Sequence, residues 1–501
     1  MKGCNNFTPN FSRRQWLKTA GCGFGALAFQ AFAQQVASAS GSAYSTPKPH
    51  HTPKAKRVIF LFMHGGVSQV DSFDPKPMLT KFDGKNIPIK GVKNLDVELK
   101  DKAGYGRVLD TTWKFRQHGE SGAWISDLWP HLAKHADDLC FIKSMHTKGV
   151  SHGQAVAMIH TGTDNLLRPS VGSWVSYGLG SENANLPAFV SVTPPAGHGG
   201  SRNFGSAFLP AHHQATTLGH SASKTADATI EYLQNKDIQP GIQRRQLEML
   251  DRINQKHLSQ TKDKQVDGVI RSYEMAARMQ GIAPELIDIS KETEETRALY
   301  GMDKKETTDF GHRCLLARRF CEAGVRYVQV STPYVWDQHG GLVRGHTKNA
   351  LSVDKPISGL LSDLKRRGMM DDTLIVWGTE FGRTPVAQGK DGRDHNPAGF
   401  TVWLSGAGVK PGYSHGATDE FGYFAQENKV HMHDLHATIL HILGIDHEKL
   451  TYRYAGRDFR LTDVYGEVVH EILEEQGSKP SEVIAQQAQK KLTTNIRIIS
   501  A

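Results

Sequence analysis

Cysteine is scarce in this chain. Five occur in 501 residues, and two of them, Cys4 and Cys22, lie in an N-terminal stretch set apart by its composition. Cys140, Cys314 and Cys321 remain, an odd and sparse set that excludes a disulfide framework. Cys314 and Cys321 stand seven apart in a helical pattern and read as buried apolar positions. A basic stripe and an aromatic ladder are also missing. The formal charge is only +9 and is dispersed along the sequence, which argues against nucleic-acid binding. Nor is there a long hydrophobic run: the one candidate, Ala20 to Ala33, is short and glycine-rich, so no stable membrane span is expected in the mature protein. What remains is an ordinary globular composition, 38% hydrophobic and 22% charged, in a length that suits two or three domains or one large α/β domain with insertions. Histidine is the one excess, with 25 residues, several beside Asp or Gly in loops. Neutral imidazole is the commonest metal ligand, so this favours a metalloprotein over the plainer alternative of a solvated, His-rich surface.

The N-terminus carries Ser12-Arg13-Arg14-Gln15-Trp16-Leu17-Lys18, then a Gly/Ala-rich apolar run, then small-residue sites at Ala31-Phe32-Ala33 and Ala37-Ser38-Ala39. It resembles a twin-arginine export signal covering residues 1–39. That implies a periplasmic or secreted protein, with the twin-arginine translocase as its partner during export. The route carries folded, cofactor-loaded cargo. Cys22 is not read as a lipoprotein acceptor, because Thr19-Ala20-Gly21 is a poor lipobox. Losing the signal lowers the formal charge from +9 to +5. Residues 40–56 are Pro/Ser/Lys-rich and read as a linker.

Order begins at Val58-Ile59-Phe60-Leu61-Phe62, apolar at every position, as a strand covered on both faces must be. His64-Gly65-Gly66 follow, then Asp71 and Asp74. The same pattern recurs. Asp138 to Ser144 is a second buried strand, and beyond it Ser151-His152 open a helix over 154–162 that glycine closes. Ser151 there is either an N-cap or a nucleophile at an anion-friendly helix end. A helix is expected from Ser126 and another over 312–323. Val325 to Val330 is a strand whose exit carries Asp337 and His339, a plausible two-ligand metal contribution. Ile357 to Arg367 reads as a crossover helix. It leads to the strand Leu374-Ile375-Val376-Trp377, after which Glu380, Arg383, Asp394 and His395 follow in a Gly-rich loop. Loops beyond the carboxyl ends of parallel strands are where open α/β sheets place their chemistry. Phe400 to Leu404 is a further strand, and Asp434 caps a helix to Gly444. Residues 225–300 read as a helical insertion, and 466–501 as a C-terminal helix and tail.

Stretches such as LFMHGGVSQVDSFDP, FIKSMHTKGVSHGQAVAMIHTGT, VWDQHGG, GTEFGRTP, GRDHNP and HDLHATILHILG resemble the alkaline phosphatase superfamily and, more narrowly, an exported sulfatase-like bacterial family of largely unassigned function. The resemblance runs over 57–465. It implies an α/β three-layer sandwich with a mainly parallel central sheet, and one or two divalent metal ions (zinc, calcium or manganese). By position, Asp337, His339 and His395 match one metal's ligands, and Glu380 stands where a second metal has an Asp. His64, Asp71 and Asp394 complete the candidate ligand set, though the first strand normally delivers an Asp directly. The nucleophile zone reads Ser151-His152-Gly153-Gln154-Ala155 and lacks the Cys/Ser-x-Pro-x-Arg pattern that formylglycine formation needs, which argues against a formylglycine-type sulfatase. A metal-dependent hydrolase of phosphate or sulfate esters is then implied, with Ser151 or metal-activated water as nucleophile, His152 as general acid/base or ligand, and Arg383 offsetting transition-state charge. The substrate would be an anionic ester such as a sulfated or phosphorylated glycan. The alternative is a catalytically silent relative that binds polysaccharide or another exported protein.

Overall fold

The all-apolar runs become the middle of a sheet with helices on both faces. The computed structural model describes residues 47–87, 106–195, 197–220, 223–230, 238–261 and 263–474. The stretch read as an export signal, the start of the linker and the tail beyond 474 lie outside them. In chain order the main elements are β1 (Arg57–Phe62), β2 (Leu139–His146), α1 (His152–Thr161), α2 (Val171–Leu179), β3 (Phe189–Val192), β4 (Thr216–Leu218), α3 (Pro240–Thr261), α4 (Lys264–Ile287), α5 (Thr308–Glu322), β5 (Tyr327–Ser331), α6 (Leu342–Arg366), β6 (Thr373–Gly378), β7 (Gly382–Gln388), β8 (Gly392–Asn396), β9 (Phe400–Gly406), β10 (Tyr413–His415), β11 (Val430–His431) and α7 (Met432–Ile442).

The sheet runs β10-β2-β9-β6-β1-β5-β3-β4, with β11 also beside β2. Every pairing in it is parallel except the two made by β9, which is antiparallel to β6 and to β2. The fold is therefore α/β with a mainly parallel central sheet. Strand side chains alternate between the faces, and two cores result. Ile59, Leu61, Ile375, Trp377, Val328 and Val330 point to the core shared with α5 and α6. Val58, Phe60, Phe62, Leu374 and Val376 point to the core shared with α1, α2 and α7. Cys314 and Cys321 belong to the first core and Cys140 to the second, all free thiols buried as packing residues.

Four local expectations change. Residues from Ser126 do not start a helix: Ser126 ends a short strand, and the helical segment is a 3-10 stretch, Leu132–Asp138. Pro130 has no N–H to give, and Asp354 takes the N–H groups of His131 and Leu132 at 2.8 Å each. The helix read over 357–367 begins at Leu342, because Pro356 lies inside it rather than before it. The helix near Asp434 is capped by His431, with Asp434 at the third position accepting the His431 N–H at 2.8 Å, a reciprocal capping box. Finally, the Gly-rich stretch after β6 is no loop. It folds as the antiparallel hairpin β7–β8, in which Arg383 faces His395.

Candidate metal centre

β1, β2, β5 and β6 run the same way, so their exits share one edge of the sheet. His152 is the first residue of α1 after β2, Asp337 and His339 lie in the loop after β5, and His395 arrives on β8. Glycine permits this crowding. At Gly65, φ is +126°, and a Cβ there would stand 2.6 Å from the Trp336 nitrogen and 2.8 Å from that of Asp337.

His152, Asp337, His339 and His395 each offer one donor atom, and these atoms lie within 4.8 Å of one another. Asp337 Oδ1 is 2.9 Å from His339 Nε2 and 3.2 Å from both His152 Nε2 and His395 Nε2. The opposite ring nitrogens are all taken by acceptors. His395 Nδ1 donates to the Val150 carbonyl at 2.6 Å, His152 Nδ1 to Glu380 Oε1 at 2.7 Å, and His339 Nδ1 to Gln388 Oε1. A neutral imidazole that donates from Nδ1 presents a lone pair at Nε2. Three such lone pairs therefore face one carboxylate oxygen, with those of His339 and His395 2.9 Å apart. His152 Nε2 is buried and, apart from its 3.2 Å approach to Asp337 Oδ1, has no hydrogen-bond partner among the described residues. Lone pairs pressed together in this way repel unless a proton or a metal ion lies among them. Hydrogen bonding to Asp337 raises the pKa of His339 and, against burial, that of His152, so proton and metal compete for the same position. The set fits a metal ion, and the pinned Nδ1 atoms are the outer contacts that metal-ligating histidines usually have.

The remaining predicted residues divide by what they touch. Glu380 is fully buried. Its carboxylate accepts from Gly65 N at 2.9 Å, from the Thr379 hydroxyl at 3.1 Å and from His152. Burial would raise its pKa, but the hydrogen bond from His152 and the charge of His64 outweigh this and hold it at about 2. It thus aims His152 rather than joining the four donors. Arg383, also fully buried, donates to the carbonyls of Gly65, Gly66, Trp336 and Arg393 and to Asp337 Oδ1 at 2.7 Å. The guanidinium ties three sheet exits together and has no edge turned to a substrate. Asp71 is outside the group, locked to Arg393 through Nε–Oδ2 at 2.7 Å and Nη2–Oδ1 at 3.1 Å. Asp394 sits at the margin, 3.7 Å from His339 Nδ1, and accepts the His395 N–H. His64 is buried behind Glu380, stacked on Phe62, with Nε2 3.1 Å from His198 Nδ1. Ser151 occupies the N-cap position of α1, yet its exposed hydroxyl donates to Gln154 Oε1 at 3.1 Å instead of capping.

Sequence reading missed His198, Gln388 and Tyr334, whose hydroxyl donates to Asp337 Oδ2 at 2.5 Å. For His198 a signal was present: it stands before two glycines past the buried strand β3, as His64 does past β1. For Gln388 the signal was absent, since it reaches His339 only through the hairpin.

Glu380→Gln keeps the shape and removes the charge that holds the His152 tautomer. Metal affinity should fall about 10–100-fold, read by competition with a chromophoric chelator.

No curated protein matches the chain. Among solved structures, a sulfatase from Pseudoalteromonas sp. is 11% identical, covering 78% of this chain and 68% of its own, with a TM-score of 0.35. Alkaline phosphatase from an Antarctic bacterium is 10% identical over 78% and 98%, with a TM-score of 0.32. A phosphonate monoester hydrolase from Silicibacter pomeroyi is 13% identical over 70% and 73%, with a TM-score of 0.33. At that distance the chemistry has to be read from this chain's own residues. The family described as "Protein of unknown function (DUF1501)" matches residues 55–473, and the chain belongs to it.

Proposed function

We propose that the protein is an exported, metal-dependent hydrolase of phosphate or sulfate esters. The observation that carries this reading is the convergence of three imidazole Nε2 atoms and Asp337 Oδ1 at the sheet edge, each imidazole held in one tautomer from behind. Three nitrogens and one oxygen suit a zinc- or manganese-like ion and are a poor set for calcium, which takes about six to eight oxygens. When bound, such an ion would supply Lewis-acid charge to a phosphoryl or sulfuryl oxygen.

The chain's own residues do the rest. The side chains of His339 and Asp337 are 36% and 20% exposed, so the donor set is open on one side to an arriving ester. Ser151 stands next to His152 at the N-terminus of α1, where unpaired N–H groups favour an anion and a hydroxyl could attack it. Arg383 holds Asp337 in place through its 2.7 Å hydrogen bond to Oδ1. Tyr334 fixes the other Asp337 oxygen.

The test is metal analysis of the purified full chain alongside a panel of aryl phosphate monoesters, diesters and aryl sulfates, with Ser151→Ala beside the native protein. Stoichiometric metal with turnover of one ester class is expected. Loss of that turnover in Ser151→Ala names the nucleophile, and retained turnover assigns the attack to water. A metal-loaded protein inert on the whole panel would overturn the hydrolase reading. The second reading, a silent relative that binds glycan or protein, is favoured by the full burial of Arg383, whose guanidinium is turned to four backbone carbonyls and Asp337.

A further inference from the structure

Beside the metal centre stands a histidine that the four donors do not use. His198 lies on the loop after β3, where Gly197, Gly199 and Gly200 leave it the one side chain in four residues. Its backbone is left-handed, with φ +48°, a conformation that few residues other than glycine adopt, Asn and His among them. Buried Asn203 holds it there by donating from Nδ2 to the His198 carbonyl at 3.2 Å. The result is a placement. The His198 ring centre is 5.2 Å from those of His64 and His152 and 4.5 Å from that of Tyr334. Tyr334 in turn gives its hydroxyl to Asp337. His198 is half-buried and Tyr334 is 41% exposed, so both reach solvent next to two of the donors.

One nitrogen of the His198 ring is engaged and the other is free. Nδ1 is 3.1 Å from His64 Nε2, and Nε2 has no partner among the described residues. Burial lowers the His64 pKa to about 4, so that ring is neutral and has a single N–H to place. With this N–H on Nε2 and given to His198 Nδ1, the His198 proton sits on its own Nε2. That makes Nε2 a donor still to be used. The neighbouring donors are committed elsewhere. Arg383 is turned to backbone carbonyls and Asp337, and the Tyr334 hydroxyl serves Asp337. The Nδ1 atoms of His152, His339 and His395 serve Glu380, Gln388 and Val150. An anionic group arriving at the open side needs a donor that is not already satisfied, and His198 supplies one.

We infer that His198 is a substrate-contacting residue, whose Nε2–H donates to an oxygen of the phosphoryl or sulfuryl group held at this centre. As a statement about substrate the inference rests on the hydrolase reading, whereas the contact is measurable with the inorganic anions alone. The zinc-loaded full chain and the variants His198→Asn and His198→Gln are titrated calorimetrically with inorganic phosphate and with sulfate. Asparagine tolerates the left-handed backbone and keeps an amide near the place of Nδ1, facing His64, but has nothing at Nε2. Glutamine is one bond longer and brings an amide N–H to about where Nε2 stands. The native protein should bind one of the anions, and which one tells phosphoryl from sulfuryl. His198→Asn should weaken that binding about tenfold or more, as for a lost hydrogen bond to a charged group. His198→Gln should recover part of it, with zinc content and thermal melt unchanged in both. A role confined to the loop or to His64 would instead leave His198→Asn near native. That result, zinc loss from His198→Asn, or no anion binding by the native protein overturns the inference. Ester turnover alongside any of these leaves the hydrolase reading standing without His198. His198-dependent anion binding by a protein that cleaves no ester keeps the contact and removes the hydrolase reading instead.

Discussion

His339→Ala is expected to strip the protein of its metal while leaving its fold unchanged. His339 is the most open of the donors, so its removal creates no cavity in either core. Its Nε2 is also the donor nearest Asp337 Oδ1, at 2.9 Å. Losing a direct ligand should lower affinity by more than about 100-fold, the upper end for losing only an outer hydrogen-bond partner. Ester turnover should fall to background. Elemental analysis after dialysis reads the first effect. The thermal melt of the chelator-treated protein reads the second, and it should match the native melt taken the same way. A variant that keeps stoichiometric metal would show that His152, Asp337, His339 and His395 do not form the centre.

Asp71→Ala should act in the opposite order, on stability first. The Asp71–Arg393 pair is fully buried, and Ser68 adds a 2.5 Å hydrogen bond to Asp71 Oδ2. Removing the carboxylate leaves the Arg393 charge without its partner, which costs about 3–5 kcal/mol. Arg393 lies two residues before His395 on β8, so metal loss should accompany the destabilisation. A metal ligand at this position would behave differently, costing affinity but no stability in the metal-free protein. Denaturant unfolding with and without chelator separates the two, and an unchanged metal-free midpoint would overturn the ion-pair reading. The pH dependence has a definite sign. Burial alone would raise the Asp71 pKa, but Arg393 and the hydrogen bonds from Arg393 and Ser68 outweigh it and hold it below the ordinary value. Its contribution is therefore complete above the normal carboxylate range and is lost as the pH falls through the depressed native pKa.

The strands of the sheet's centre were legible because burial on both faces leaves only apolar residues, as at Val58 to Phe62 and Leu374 to Trp377. Asp337, His339 and His395 could be picked out because each follows a run of that kind. Local sequence could not reveal how Glu380 and Arg383 are used. A carboxylate and a guanidinium after a strand look like a ligand and a substrate clamp, and only the tertiary fold supplies the Gly65 N–H, the His152 ring and the four carbonyls that occupy them. Asp71 misled for the same reason, since its partner is 322 residues away. The β7–β8 hairpin was hidden by glycines that read as loop. Gly392 is required there because a Cβ would collide with the His339 carbonyl.

The spacing of the donors has a consequence for assembly. They occur at position 152, at 337 and 339, and at 395, and only the sheet brings the three segments together. An extended chain would offer an ion little beyond the Asp337/His339 pair. An ion held by these four residues would therefore be captured late, on a finished fold, and would not serve as the nucleus around which folding starts.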